Sequence, residues 1–346
     1  MKRLRISLDE ARLGMRLAHD VFGSSGQRLL AAGKALTPTV IEGLRQHLIF
    51  DVDVLVPISR DTVQTRQDLV VEVQATSNYL EDLMAKVSSG GTIDYAEAEQ
   101  AMAPVLFRPE QGFQVVQLMT SLYEWHHYTY NHGVAVAALA ATVGNWMELD
   151  EEAFFELAMA GYLHDLGKAL VPQEVLNKPS SLDEHEWEEA RKHPVHAYEL
   201  LRNTPGVPEK VIRAIYEHHE RNDGSGYPRG LVKDEISLYG RILAACDVFH
   251  ALTSRRAYKH ALSPFESFKI IEGMMPHKLD AIPVKSLICG IMSRYRGKGV
   301  ILSNGQQGRI VHIDRSNPAH PIVATKKGPI DLATRLDVYV EQVLQV

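Results

Sequence analysis

The run from Ala153 to Lys168, AFFELAMAGYLHDLGK, is apolar over most of its length and turns polar at His164-Asp165. Its apolar stripe predicts a buried helix with Asp150 as the N-cap. A His-Asp pair at the end of such a helix is placed to hold metal. Imidazole suits first-row divalent ions and a carboxylate can bridge two of them, whereas an unpaired buried aspartate is costly. Gly167 is expected to end the helix and leave Lys168 beside any bound phosphate. Taken alone, His164 to Lys168 fit a structural salt bridge as well as they fit a metal site.

Other segments repeat the chemistry. His132 follows Tyr128-Thr129-Tyr130-Asn131 at the opening of the apolar stretch Val134 to Met147, and His193 lies in Lys192-His193-Pro194 between two helical stretches. His218-His219-Glu220 closes a further helix. Neighbouring helical positions project about 100° apart, so the His218 and His219 rings can address adjacent metals. Asp247 interrupts the otherwise apolar run Ile242 to Phe249 and needs a partner there. A buried salt bridge or an N-cap explains any one of these residues, but not why all of them sit on the inner ends of helices. His126 and His127, in a partly polar stretch, are expected at the surface or behind the ligands. His185, His260, His277, His312 and His320 are expected to be exposed or in loops.

The chain has 346 residues, 45% of them hydrophobic, and a formal charge of −6, enough to bury substantial cores in two or more domains. No basic stripe or block of like charge marks a surface for duplex nucleic acid or anionic membrane. No apolar run reaches the ~18 residues that span a bilayer, and Met1-Lys2-Arg3 is not followed by a signal segment, so a cytoplasmic protein is expected. The two cysteines, Cys246 and Cys289, form no disulfide framework and are expected in the core.

Residues 1–60 alternate short apolar runs with turns such as Gly23-Ser24-Ser25-Gly26, then give a helical stretch near Thr39 to His47 and the strand-like Val52 to Val56. They read as a small α/β N-terminal regulatory module. Residues 61–94 read as a connector helix, Thr62 to Lys86, and a linker at Ser88-Ser89-Gly90-Gly91. Residues 95–298 repeat helical stripes and make the chain mainly α. In residues 299–346, Asn304-Gly305 offers a tight turn and Arg309 to Ile313 and Pro321 to Thr325 look extended, which predicts a short β-rich C-terminal extension.

After His218-His219-Glu220 the chain reads Arg221-Asn222-Asp223-Gly224-Ser225-Gly226-Tyr227-Pro228, a shaped loop beside the proposed metals. Gly226-Tyr227-Pro228 with His164-Asp165 resembles the HD-GYP family of cyclic di-GMP phosphodiesterases. The similarity extends in the same order over Tyr128 to His132, Leu176-Asn177-Lys178-Pro179, His193-Pro194 and Ala251-Leu252-Thr253-Ser254. The resemblance implies an all-helical HD-type catalytic domain with two divalent metal ions, iron or manganese. It implies hydrolysis of cyclic di-GMP to linear pGpG and, by a second cut, to GMP, through a hydroxide bridging the metals. By match to the family, His132, His164, Asp165, His193, His218, His219 and Asp247 would be the ligands, with Asp165 bridging. Asp165 and Lys168 would be catalytic, Lys168 touching a nonbridging phosphate oxygen. Arg256 and Lys259 would hold the second phosphate, and Tyr227 would shape the guanine-facing loop.

There are departures from the family pattern. Tyr128 stands where some members carry a glutamate for a third metal, so two metals are expected. His250 replaces a carboxylate behind the ligands, and Arg256-Ala257-Tyr258 replaces Arg-Pro-Tyr. Cyclic di-GMP is the expected partner, and the family also allows diguanylate cyclases or other signalling proteins as partners and a homodimer. One rival is an HD hydrolase of nucleotides or phosphomonoesters, against which the Gly226-Tyr227-Pro228 loop argues. Another is a silent adaptor that binds the cyclic dinucleotide or a cyclase, against which the retained ligands argue.

Overall fold

The computed structural model describes residues 2–8, 11, 14–23, 26–47, 49, 51–56, 66–106, 128–254, 262–314, 316–335 and 337–344. The N-terminal part alternates as its turn signals predict. Strands β1 (Lys2–Ser7), β2 (Arg16–Leu17), β3 (Val21–Phe22) and β4 (Arg28–Leu30) precede helix α1 (Pro38–Gln46) and strand β5 (Asp51–Val56). β5 lies between β1 and β2 and pairs antiparallel with both. Thr37 caps α1 by accepting from Val40 N. Leu17, Leu36, Leu44, Val52 and Val54 close a small apolar cluster between this sheet and α1.

A second, larger core begins with α2 (Arg66–Ser88), whose Val73, Leu80, Leu83 and Val87 are buried with the helices that follow. Thr76 is the polar joint of this helix: its hydroxyl donates to Ala101 O at 2.8 Å, and its carbonyl accepts from Tyr162 Oη at 2.7 Å. Then come α3 (Tyr95–Leu106), α4 (Tyr128–Trp146) and α5 (Glu151–Leu163). Asp150 caps α5 through Ala153 N, as expected. α4 and α5 carry alanines and glycines where they cross, and a Cβ on Gly161 would lie 2.6 Å from Ala137 Cα. That contact brings the His132 and His164 ends of the two helices together.

A 3-10 turn, Leu166–Leu170, follows, and then α6 (Gln173–Leu176), α7 (Glu184–Ala190), α8 (His193–Leu201), α9 (Glu209–Glu217) and α10 (Leu238–Thr253). The expectation that Gly167 ends the helix is not met: the α-helix stops at Leu163, and Gly167 lies inside the 3-10 turn with no positive φ. A Cβ there would lie 1.9 Å from His193 O and 2.6 Å from Ala197 N, so the glycine is needed for α8 to approach. Helices α11 (Pro264–Met274) and α12 (Ala281–Ser293) lead to five antiparallel strands, β6 (Gly299–Leu302), β7 (Gln307–His312), β8 (Ile322–Thr325), β9 (Gly328–Asp331) and β10 (Val340–Val343). Their order is β10-β6-β7-β8-β9, and Val300, Ile310 and Val323 are buried in the same core as the helices. Cys246 is fully buried, but Cys289 is only partly so. Among the described residues no helix is long and apolar enough to cross a membrane.

Candidate metal centre

Three histidines of the cluster are aimed by backbone carbonyls at the helix ends beside them. Nδ1 of His164 lies 2.7 Å from Gly161 O, Nδ1 of His193 2.8 Å from Ala190 O, and Nδ1 of His218 2.6 Å from Ile215 O. A carbonyl only accepts, so Nδ1 carries the proton in each ring and Nε2 is turned inward. The Nε2 atoms of His193 and His218 then face each other at 3.4 Å. Burial pushes His193 down to about 4 and His218 well below the usual imidazole range, so neither ring supplies a proton to that contact. Two lone pairs at this distance fit a shared cation.

All the residues expected as ligands are brought together. Donor atoms of His193, His218 and His219 lie within 4.8 Å of one another, and so do those of His132, His164 and Asp247, and of His164, Asp165 and His218. The last set shares a histidine with each of the others. Asp165 faces both sides: Oδ1 is 3.5 Å from His193 Nε2, and Oδ2 is 3.4 Å from His164 Nε2 and 2.6 Å from Lys168 Nζ. Burial raises the Asp165 carboxyl, but His164, Lys168 and His193 outweigh it and hold the group well below the usual range. Asp247 is likewise held low against its burial, chiefly by His132, whose Nε2 is 3.0 Å away. Burial would deprotonate His164, yet Asp165 keeps its pKa raised, and a cation at Nε2 would take the place of that proton. Imidazole with carboxylate is a donor chemistry for first-row transition metals.

The helices are fixed relative to one another by carboxylates that sequence reasoning did not single out. Glu217 accepts from Arg213 Nε and from Ser237 N, both at 2.7 Å, and so ties the end of α9 to the start of α10, which carries Asp247. Glu220 accepts from Arg229 N at 2.7 Å and Leu231 N at 2.9 Å, folding the glycine-rich loop back over α9. Gly226 permits this: a Cβ there would lie 2.4 Å from Glu220 Cα. The Tyr227 ring then stacks on His219, centroids 4.6 Å apart at 26°. His250 stands behind His132 with the two Nδ1 atoms 2.8 Å apart, and Ser254 Oγ is 3.0 Å from its Nε2.

A cavity of about 400 Å³ opens over the cluster, lined by His132, Asp165, Lys168, His193, His219, Tyr227 and Asp247 and by the apolar side chains of Leu176, Trp187, Val248 and Leu252. Arg256, Lys259, His126, His127 and His260 lie outside the described residues. The Tyr128 backbone opens α4. His185, His277 and His312 are exposed, and His320 is half-buried in a loop.

Residues 114–282 match the HD domain family. A cyclic di-GMP phosphodiesterase of Pseudomonas aeruginosa is 39% identical over 52% of this chain and 44% of its own length. A cyclic di-GMP phosphodiesterase of Thermotoga maritima is 35% identical over 47% of this chain and 45% of its own. The 3'3'-cGAMP-specific phosphodiesterase 3 of Vibrio cholerae is 34% identical over 44% of this chain and 33% of its own. The chain thus spans less than half the length of these relatives. The matched segment contains every histidine and aspartate of the cluster, and it is there that the chain is similar to the HD domain family.

Proposed function

We propose that the chain is a metal-dependent phosphodiesterase that hydrolyses cyclic di-GMP to linear pGpG, in bacterial second-messenger signalling. The observation that carries this reading is the convergence of five imidazoles and two carboxylates in one cluster, of which His132, His193, His219, Asp165 and Asp247 line the cavity that also holds Lys168 and Tyr227. The ligands would be His132, His164, Asp165, His193, His218, His219 and Asp247, holding two divalent cations, iron or manganese. Such a pair supplies a nucleophile derived from water at neutral pH and stabilises charge on the phosphoryl oxygens. Asp165, with an oxygen toward each side of the cluster, orients both halves. Lys168, held on Asp165 and reaching the cavity, presents its ammonium to a nonbridging phosphate oxygen. Water adds to phosphorus, the bond from phosphorus to the ribose O3' breaks, and a 5'-phosphate and a 3'-hydroxyl remain.

Arg256 and Lys259 would grip the phosphate that is not cut. Residues 1–60 would act as a regulatory module for a catalytic domain of residues 95–298. The name of the Vibrio cholerae relative makes 3'3'-cGAMP the rival substrate.

The test uses protein stripped by chelation and reloaded anaerobically with iron or manganese. Turnover of cyclic di-GMP to pGpG, with about two metals per chain, is expected. Cleavage confined to p-nitrophenyl phosphate would make the chain a phosphomonoesterase, and binding of the dinucleotide without turnover by loaded protein would make it an adaptor. A higher kcat/KM on 3'3'-cGAMP than on cyclic di-GMP would move the substrate assignment.

A further inference from the structure

Helix α7 contributes Trp187 and Ala190 to the lining of the cavity, and the phosphodiester chemistry leaves it without a task. Trp187 on this helix lines the cavity and is nevertheless half exposed. Its helix is held firmly. Asp183 and Glu186 form a reciprocal capping box, and Lys178 pairs with Glu186, so the Leu176-Asn177-Lys178-Pro179 segment is tied to α7. Arg191 ends the helix, and its guanidinium lies over the Trp187 ring at 5.8 Å and over the Tyr227 ring at 5.5 Å. Tyr227 in turn stacks on His219. The result is a chain of contacts between planar groups, His219, Tyr227, Arg191 and Trp187, in which the three rings line the cavity and the guanidinium links Tyr227 to Trp187. Among the described residues Arg191 makes no ion pair with a carboxylate, so its donor fork is kept for something else.

We infer that Trp187 and Arg191 form a nucleobase subsite that takes guanine, the base stacking on the exposed indole while the guanidinium donates to its O6 and N7. This rests on the phosphodiesterase reading above and names what recognises the base in it. The chemistry is selective. Guanine offers two acceptors on that edge, which the arginine fork matches with two parallel hydrogen bonds, whereas adenine replaces one acceptor by an amino donor that faces the cation. The stack itself discriminates little, because every base has an aromatic face. An arginine held over two rings is also preorganised, since the rings hold the guanidinium plane in place before the ligand arrives.

The two residues therefore have separable effects. In the metal-loaded full chain, Trp187→Ala should raise KM about tenfold for cyclic di-GMP and cyclic di-AMP alike, and Trp187→Phe should restore most of it. Arg191→Gln should lower the ratio of kcat/KM for cyclic di-GMP over cyclic di-AMP by about tenfold or more, because glutamine pairs with the adenine edge. Equilibrium binding of both dinucleotides, measured in parallel, should move in the same sense. An unchanged guanine-to-adenine ratio in Arg191→Gln, or a loss in Trp187→Ala that phenylalanine does not rescue, overturns the subsite. Absence of cyclic di-GMP turnover in the unmutated protein, with guanine-selective binding still lost in Arg191→Gln, would sink the phosphodiesterase reading and leave the subsite standing.

Discussion

Asp165 and His250 show how far single residues set the character of the cluster. Asp165 touches both sides of the cluster and Lys168 on the cavity wall, so its loss would remove a contact from each side at once. Asp165→Ala is expected to lower metal content and to reduce turnover of cyclic di-GMP by more than about a hundredfold, checked by elemental analysis and product chromatography. Full metal loading with normal turnover would remove Asp165 from the centre. His250 acts through His132. With Nδ1 of one ring 2.8 Å from Nδ1 of the other, one must donate and the other accept, and Ser254 at the far nitrogen lets His250 be the acceptor. His132 would then have its Nε2 lone pair free for a cation shared with Asp247, which would replace the proton between the two groups. His250→Phe removes the acceptor and should weaken metal binding about tenfold or more, while His250→Asp should restore it, measured by competition with a chelating dye. Equal affinities in the phenylalanine and aspartate variants would show that His250 only fills space.

At the scale of elements, the cluster depends on close approaches made by small residues. Gly167 sets the distance from the 3-10 turn that follows His164-Asp165 to the helix that starts at His193. Because the clashing atoms are backbone, Gly167→Ala must push α8 away instead of rotating a side chain. Far-ultraviolet circular dichroism should stay close to that of the parent, Tm should fall by several degrees, and metal content should drop with it. Retained metal content with an unchanged Tm would mean that α8 yields freely. This glycine also marks the limit of what is legible in the sequence. Its place after an apolar run suggests a helix end, which it is not, and the carbonyl that requires it comes from His193, distant in the chain. The clustered histidines and aspartates themselves could be read because such residues inside apolar runs need a local explanation. Glu217 and Glu220 could not, because glutamate at a helix end usually faces water, and the backbone donors that bury these two lie in the loop beyond. The same holds for Trp187 and Arg191, whose common target is visible only once α7 and the Tyr227 loop meet.

Over the whole molecule, the N-terminal unit and the helical core meet at α3. The side chain of Gln100 pairs with both the N–H and the carbonyl of Ala35 at 2.8 Å each, as a strand would. Beside it, Glu99 is turned toward Thr37 and Thr39 and is almost wholly buried, with Oε2 lacking a hydrogen-bond partner among the described residues. Burial raises its carboxyl to about 7, only partly offset by hydrogen bonds from Thr39 and Thr37. The sign follows from linkage. A carboxyl with a higher pKa folded than unfolded binds its proton more tightly when folded, so its contribution is best at acid pH. That contribution is lost as pH rises from the unfolded value near 4.5 through about 7, and is constant above that. The loss is of order 3 kcal/mol, about 1.4 per pKa unit. Glu99→Gln keeps the shape and cannot ionise, so it should raise Tm at pH 8 by a few degrees and change it little at pH 5. The comparison should be made on metal-free protein at both pH values, because metal affinity carries its own pH dependence. A Tm gain equal at the two pH values would mean that packing or hydrogen bonding, and not the buried charge, distinguishes the two side chains. A lower Tm at pH 8 would mean that the ionised carboxylate has a partner there and strengthens the junction.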